Sequence, residues 1–203
     1  MARNGIIAPL RTLNDFRKWR LRNYTVPSPR AIRRACLMRN SVVGATWIET
    51  GTFKGDTTAF LAQSSKFVYS IEPEPTLVAN AKKRFADNAN VEIIEGISEA
   101  VFPQLLPTIT GDINFWLDGH YSAGTTFKGP TDTPIVEELE NIRACLKNFG
   151  RVSILVDDVR CFQSQAKENE AYPPLDFLVS WCQQNGFNWT IEHDIFIARN
   201  YIS

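Results

Sequence analysis

Four strand-like runs of this sequence end in carboxylates, and carboxylates in such positions can bind cations, hydroxyls and protons. The runs end at Glu49, at Glu72, at Asp118 and at the pair Asp157-Asp158. In an open parallel sheet the carboxyl ends of the strands lie at one edge, and ligands bind beyond that edge. We therefore expect these five acids to share one ligand-binding crevice.

The turn that follows Glu49 predicts a close approach between a ligand and the backbone. Gly51 and Gly55 bracket this turn, but Phe53 stands where a dinucleotide-binding loop would have glycine. Pyrophosphate needs a bare backbone there, whereas a nucleoside without phosphate tolerates the ring and can place an ammonium group beside Glu49. Glu72 lies 21 residues beyond Gly51, where an acid can accept both ribose hydroxyls. The alternative for Glu72 is a surface carboxylate before a proline-rich turn.

The elements that must position these acids follow from an alternation of apolar strand-like runs and helical runs. Strand-like runs cover residues 45–49, 67–72, 91–95, 113–118 and 152–157, and helical runs cover 56–63, 76–86, 98–106, 134–147 and 174–184. This alternation predicts an α/β fold with a mainly parallel sheet and helices on both faces. Two further β-rich runs, 187–192 and 195–200, predict a C-terminal antiparallel hairpin. We expect a Rossmann-like, doubly wound sheet of seven strands.

The segment 49–55 together with Glu72 resembles class I S-adenosylmethionine (SAM)-dependent methyltransferases, and the segment 91–105 is similar to the adenine-binding segment of catechol-type O-methyltransferases. The resemblance implies that Gly96, Ile97 and Ser98 border the adenine, although Ile97 could instead belong to the core. It implies the following cofactor-binding residues: Glu49, Gly51, Phe53, Gly55, Thr57, Glu72, Gly96, Ile97, Ser98 and Asp118.

Asp118 with Asp157 and Asp158 forms a candidate metal site, because all-oxygen sites that keep some water suit Mg²⁺. The pattern is similar to the metal site of catechol-type enzymes, and still more to that of macrocin and related sugar O-methyltransferases. Adjacent acids at a strand end also form caps and turns without a metal. His120 is the candidate base that takes the proton of an acceptor hydroxyl, with Asp118 as the second catalytic residue. A loop histidine bonded to the backbone is the alternative for His120.

The chain has 203 residues, of which 44% are apolar, and this is enough for one full core. No apolar run approaches the ~20 residues that cross a bilayer, and the first apolar run is so short that we expect no signal peptide. We predict no transmembrane segment and a cytoplasmic location. The four cysteines show no paired spacing, which favours reduced core thiols over a zinc or redox site.

Positive charge is concentrated at the N-terminus. Residues 1–40 contain ten Lys and Arg but Asp15 as their single acid, although the whole chain has zero net charge. Ser28, followed by Pro29, predicts the N-cap of an amphipathic helix. We therefore divide the chain into a basic helical extension, residues 1–40, and a methyltransferase domain, residues 41–203. The extension either meets an anionic substrate, a partner subunit or a membrane surface, or docks as a solvated helix on the acidic body.

The leading functional hypothesis is a SAM-dependent, Mg²⁺-assisted O-methyltransferase that acts on a hydroxyl of a sugar-containing or other small natural product. A nicotinamide or nucleotide-sugar enzyme on a related sheet is the second hypothesis, against which Phe53 and the terminal hairpin argue. A noncatalytic binding module is the third. The basic extension is compatible with an anionic acceptor and with a homodimer formed through N-terminal helices. We do not expect nucleic acid as a partner, because the chain lacks the aromatic and glycine pattern of an RNA-recognition sheet.

Overall fold

A computed structural model describes residues 7–118, 133–163 and 172–202 of the protein. The strands are β1 (Thr46–Thr50), β2 (Phe67–Glu72), β3 (Val91–Glu95), β4 (Gly111–Leu117), β5 (Phe149–Val156), β6 (Asn188–Glu192) and β7 (Ile195–Arg199). They form one sheet in the order β3-β2-β1-β4-β5-β7-β6. The first five strands pair in parallel, and β7 pairs antiparallel with both β5 and β6. The predicted α/β sheet with a C-terminal hairpin is confirmed.

The helices cover the two faces of this sheet. They are α1 (Ile7–Leu21), α2 (Arg30–Arg39), α3 (Asp56–Leu61), α4 (Pro75–Arg84), α5 (Ser98–Leu105), α6 (Ile135–Cys145) and α7 (Leu175–Asn185). Short 3-10 turns follow α5, α6 and β5. In the described ranges, none of the helices is long and apolar enough to cross a membrane.

Local capping rules hold for one helix and fail for another. Glu74 caps α4, because its carboxylate accepts the Leu77 N–H at 2.7 Å. The predicted N-cap of α2 is wrong: Pro29 holds the N-cap position, and the buried Ser28 hydroxyl has no hydrogen-bond partner. The path of the chain into α2 therefore overrides the preference of serine for the N-cap position.

Alternate strand residues pack into two cores, as the two-residue period of a strand requires. Ile48 and Phe115 belong to the core that α5, α6 and α7 cover. Trp47 and Trp116 belong to the core on the other face, which Cys36 and other side chains of α2 and α3 complete. A smaller cluster seats α4 against β3. This packing holds the carboxyl ends of β1, β2, β4 and β5 in fixed relative positions, and α2 takes part in it directly.

Candidate active site

The carboxyl ends of the central strands meet at one edge of the sheet, as predicted. Asp118 follows β4 and donates its backbone N–H to the Thr50 carbonyl at the end of β1, with an N···O distance of 3.3 Å. Asp157 follows β5 and donates its N–H to the Leu117 carbonyl at 3.1 Å. Asp158 comes next, in a left-handed backbone conformation. These backbone bonds extend the strand pairing by one residue and bring the acids of β4 and β5 to neighbouring positions.

Glu49 is a fully buried acid with one unpaired oxygen. Its Oε2 accepts hydrogen bonds from the Thr58 and Ser70 hydroxyls, both at 2.5 Å, and its Oε1 has no hydrogen-bond partner. Burial raises the pKa of Glu49 to about 7; the two hydroxyls oppose this shift, and the charges of Asp118 and Glu72 add to it. A cation placed beside Oε1 would restore the ionised form, so the site is suited to an ammonium group.

Sequence reasoning missed the two hydroxyls that hold Glu49. It named Thr57, which is half-buried on α3, whereas the next residue, Thr58, is the one that reaches Glu49. Ser70 lies directly opposite Glu49 in the register of β1 and β2, and its hydroxyl also lies 2.6 Å from that of Thr52. The strand register would have identified Ser70. The contact of Thr58 with Glu49 depends on the path of the chain into α3, and the sequence carries no clear signal for that path.

Glu72 is held in place by the glycine turn. Its Oε2 accepts the Phe53 N–H at 2.7 Å, and its Oε1 accepts the Glu74 N–H at 3.0 Å. Each carboxylate oxygen can accept a second hydrogen bond, so both still have capacity for ribose hydroxyls. Phe53 itself has a positive φ of 48°, and its ring is exposed beside the turn. The backbone of the turn thus orients the acid that was predicted to bind ribose.

The two glycines of the turn have different reasons to be glycine. Gly51 has a φ of 86° and donates its N–H to the Ile71 carbonyl at 3.0 Å. Gly55 has a φ of 74°, and a Cβ there would lie 2.7 Å from Cε2 of Phe85. The sequence predicted Gly55 as a cofactor-binding residue. Packing against Phe85 at the end of α4 is by itself enough to require glycine at this position.

The predicted adenine-binding segment lies next to Glu72. Gly96 donates its N–H to the Glu72 carbonyl at 3.0 Å, and Ile97 is the N-cap of α5. Ile97 is half-buried and Ser98 is buried. The backbone between β3 and α5 therefore lies beside Glu72, at the same edge of the sheet as the glycine turn.

Glu138 on α6 is a further buried acid at this edge, and sequence reasoning missed it. Its Oε1 has no hydrogen-bond partner. Burial raises its pKa to about 7, against the effect of the neighbouring Ser98 and Thr50 hydroxyls. In the sequence, Glu138 looks like the acids around it, Glu137 and Glu140, which are exposed on the same helix. Glu138 is buried because it lies on the face of α6 that packs against the rest of the protein.

The predicted Mg²⁺ site is not assembled by the described residues. Asp157 forms an ion pair with Nη2 of Arg33, and Asp158 forms one with Nη1 of Arg160 at 2.7 Å. In the described part of the chain, no group of three His, Cys, Asp or Glu side chains is arranged to hold a metal ion. The expectation that Asp118, Asp157 and Asp158 form such a group is not met, because arginines supply positive charge to two of the three.

His120, the predicted base, lies outside the described residues. Asp118, two positions before it, is placed at the end of β4, where its charge acts on Glu49 and on the Tyr172 phenol. Burial, followed by the charges of Cys161, Asp158 and Asp118, raises the pKa of Tyr172 above its usual range. Tyr172 packs edge-to-face on Phe162, with ring centroids 5.1 Å apart. A phenol that stays protonated is thus a further hydrogen-bond donor near Asp118.

Arginines of α2 bind the start of α3, beside the glycine turn. Arg30 pairs with the Asp56 carboxylate at 2.9 Å, and Arg34 donates to the Asp56 carbonyl at 2.8 Å. Arg84, at the end of α4, pairs with the other Asp56 oxygen at 2.9 Å. The hydrogen bond from Arg84, together with Arg30, lowers the pKa of Asp56. The contacts of Arg30 and Arg34 connect the basic N-terminal segment to the glycine turn.

Helix α1 also lies at this edge of the sheet. Its Trp19 ring packs edge-on against His193 in the turn between β6 and β7, with ring centroids 6.2 Å apart. A cavity of about 610 Å³ between α1 and the start of α2 has Lys18, Arg22 and Arg30 in its wall. Asp15 lies in the same wall, and the N-terminal segment therefore reaches the carboxyl edge of the sheet near the turn between β6 and β7.

No family model and no curated protein sequence matches this chain. Several solved structures resemble it. A Streptococcus mutans protein assigned as a methyltransferase, solved with S-adenosylhomocysteine (SAH), is 18% identical with a TM-score of 0.53, over 86% of this chain and 98% of that one. The N-methyltransferase NodS of Bradyrhizobium japonicum WM9, also with SAH, is 15% identical with a TM-score of 0.52, over 82% and 84%. The 23S rRNA methyltransferase ErmE is 13% identical with a TM-score of 0.53, over 86% and 68%.

At these identities the likeness concerns the fold. The similar proteins include an N-methyltransferase and an rRNA methyltransferase, so they support neither the catechol or macrocin subtype nor the exclusion of nucleic acid. Strand order, the antiparallel hairpin and the placement of helices on both faces agree with the comparison. The chain therefore has the Rossmann-like fold of class I SAM-dependent methyltransferases.

Proposed function

We propose that this protein is a SAM-dependent methyltransferase that transfers the methyl group to an oxygen of a small molecule. The observation that carries the proposal is the pair of acids on either side of the glycine turn. Glu49 is buried with one unpartnered oxygen, and Glu72 is oriented by the backbone of the turn. The first is suited to the ammonium end of SAM and the second to its ribose.

The remaining cofactor contacts follow from this orientation. With the ribose at Glu72, the adenine lies against the backbone of Gly96, Ile97 and Ser98, which adjoins Glu72. The methionine portion then lies along Gly51, Phe53 and Thr57 towards Asp118. Because SAM has no phosphate, the exposed Phe53 ring is no obstacle in this arrangement.

The acceptor side of the crevice lies over the ends of β4 and β5. Methyl transfer needs an oxygen nucleophile in line with the sulfonium, together with a group that takes its proton. We assign the proton to His120, with Asp118 as the second catalytic residue. Mg²⁺ does not fit the described residues, and no step depends on it here. The basic wall formed by α1 and α2 favours an anionic acceptor, such as a sugar derivative with an acidic group.

Isothermal titration calorimetry with SAH tests the cofactor assignment. Glu72→Ala should weaken SAH binding by roughly 1.5–3 kcal/mol, the scale of hydrogen bonds to a charged group. Glu92→Ala, at an exposed position on β3, is the matched control and should leave the affinity unchanged. Equal affinity in the wild type and Glu72→Ala would remove Glu72 from the ribose. Binding of NAD⁺ without binding of SAH would favour the nicotinamide hypothesis instead.

Acceptor chemistry needs a separate experiment. The protein is incubated with SAM and a panel of sugar, phenol, amine and RNA acceptors, and the products are identified by mass spectrometry. We expect O-methylated small molecules, and an N-methylated product or methylated RNA would contradict the oxygen-directed assignment. We also propose the division at residue 40, a cytoplasmic location and a homodimer through the N-terminal helices, the last of which light scattering can test.

A further inference from the structure

Arg33 and Asp157 form a largely buried ion pair where a divalent ion was expected. Arg33 lies in the middle of α2, and its Nη2 donates to Oδ2 of Asp157 at the carboxyl end of β5. The side chain of Asp157 is 5% exposed and that of Arg33 is 29% exposed. Poor solvation makes an uncompensated charge costly here, so Asp157 needs a permanent cationic partner.

A second contact fixes the Arg33 guanidinium. Its central carbon lies 5.6 Å from the centroid of the Trp116 ring, within the range of a cation–π interaction. Trp116 is almost fully buried in the core that α2 covers. Arg33 is therefore held both by an acid at the sheet edge and by an aromatic ring of β4, and its charge is part of the folded structure.

The neighbouring acid is compensated in the same way. Arg160 donates to Asp158 and also to Asp194 in the turn before β7. Two guanidinium groups therefore stand next to the acids that would have to face a divalent ion. Since like charges repel, and since each arginine already satisfies an acid oxygen, a metal cation would have to displace one of the two arginines.

We infer that the Arg33 guanidinium takes the place of a divalent cation at the end of β5, and that this protein binds no Mg²⁺ there. The inference rests on the proposed function only for its consequence in catalysis. Without a metal to acidify the acceptor hydroxyl, the proton must pass directly to a protein base. The metal-like charge at the site is permanent and does not depend on the supply of an ion.

Mn²⁺ binding, followed by the loss of the free Mn²⁺ signal in electron paramagnetic resonance, tests this inference without any acceptor. The variants are Arg33→Gln, which removes the charge, and Arg33→Lys, which keeps it. Arg39→Ala is the matched control, because Arg39 lies on the same helix and forms an ion pair with Glu192 at its far end. The wild type, Arg33→Lys and Arg39→Ala should bind Mn²⁺ no tighter than about 1 mM, and Arg33→Gln at least about tenfold tighter than that.

Two outcomes would overturn the inference. One is a wild type that binds one Mn²⁺ with a Kd below about 1 mM, and the other is an Arg33→Gln variant that folds and excludes Mn²⁺ as the wild type does. If Arg33→Gln fails to fold, the melting temperature of the wild type decides, because a bound ion stabilises the folded state. The melting temperature should be the same in excess Mg²⁺ as in EDTA, and a higher value in Mg²⁺ would refute the inference. None of these measurements uses SAM or SAH, so failure of the proposed function would show separately, as absent SAH binding.

Discussion

Replacing Glu49 by glutamine should remove a large part of the pH dependence of stability. In the folded protein Glu49 is fully buried and its pKa is about 7, against 4.5 for the ordinary group. An acid whose pKa is raised on folding stabilises the native state most below its unfolded pKa, and this stability is lost as the pH rises through the folded value. The affected window therefore runs from about pH 4.5 to about pH 7.

The size of the effect follows from the shift. One pKa unit corresponds to about 1.4 kcal/mol, so the difference between 4.5 and about 7 is worth about 3 kcal/mol in full. Between pH 5 and pH 8 roughly 2–3 kcal/mol of this loss falls within the measurable range. Gln at this position keeps an oxygen for the Thr58 and Ser70 hydroxyls but cannot ionise.

Urea unfolding at pH 5 and pH 8 is the assay. The wild type should lose more unfolding free energy over this interval than Glu49→Gln, by roughly 2–3 kcal/mol. Glu92→Gln, at an exposed position, should behave as the wild type does. Identical pH dependence in the wild type and Glu49→Gln would refute the reasoning. If an ammonium group binds beside Glu49, SAH binding near pH 6.5 should also release a proton, which calorimetry in buffers of different ionisation enthalpy detects.

Four further substitutions test the surroundings of the candidate site. Glu138→Gln should remove another share of the same pH dependence, because burial raises the pKa of Glu138 to about 7 as well; an unchanged urea profile would contradict this. Thr58→Val should cost roughly 1–2 kcal/mol of unfolding free energy, since Glu49 loses a buried hydrogen bond, and a neutral result would remove that bond from the account. Gly55→Ala should cost roughly 2–3 kcal/mol, through its positive φ and its contact with Phe85. Phe85→Leu in the Gly55→Ala background should recover part of that loss, and no recovery would exclude the clash as the cause.

The fold could be predicted because its signals are local. In the stretch from Val152 to Val156 every residue except Ser153 is apolar, as is typical of a strand buried on both faces, and a helical run precedes it. The C-terminal hairpin was predictable for the same reason, because its two β-rich runs are separated only by the tight turn at His193 and Asp194. Such patterns depend on neighbours within a few positions, so they are readable without knowledge of the packing.

The partners of the acids could not be predicted, because they come from distant parts of the chain. Arg33 and Asp157 are 124 positions apart, and their contact depends on how α2 packs over Trp116. The burial of Glu138 depends on which face of α6 meets α5. A carboxylate at a strand end therefore indicates where a site lies, whereas its charge state and the identity of its counter-ion are set by tertiary packing.

The position of β7 has a consequence for how the molecule is made. While the protein is being synthesised, the parallel part of the sheet ends at β5, whose apolar edge has no neighbour. β6 leaves the ribosome before β7 but cannot close this edge, since β7 lies between the two. Nascent chains that end before residue 195 would therefore expose the unpaired edge of β5. They are the species most prone to aggregate or to recruit chaperones.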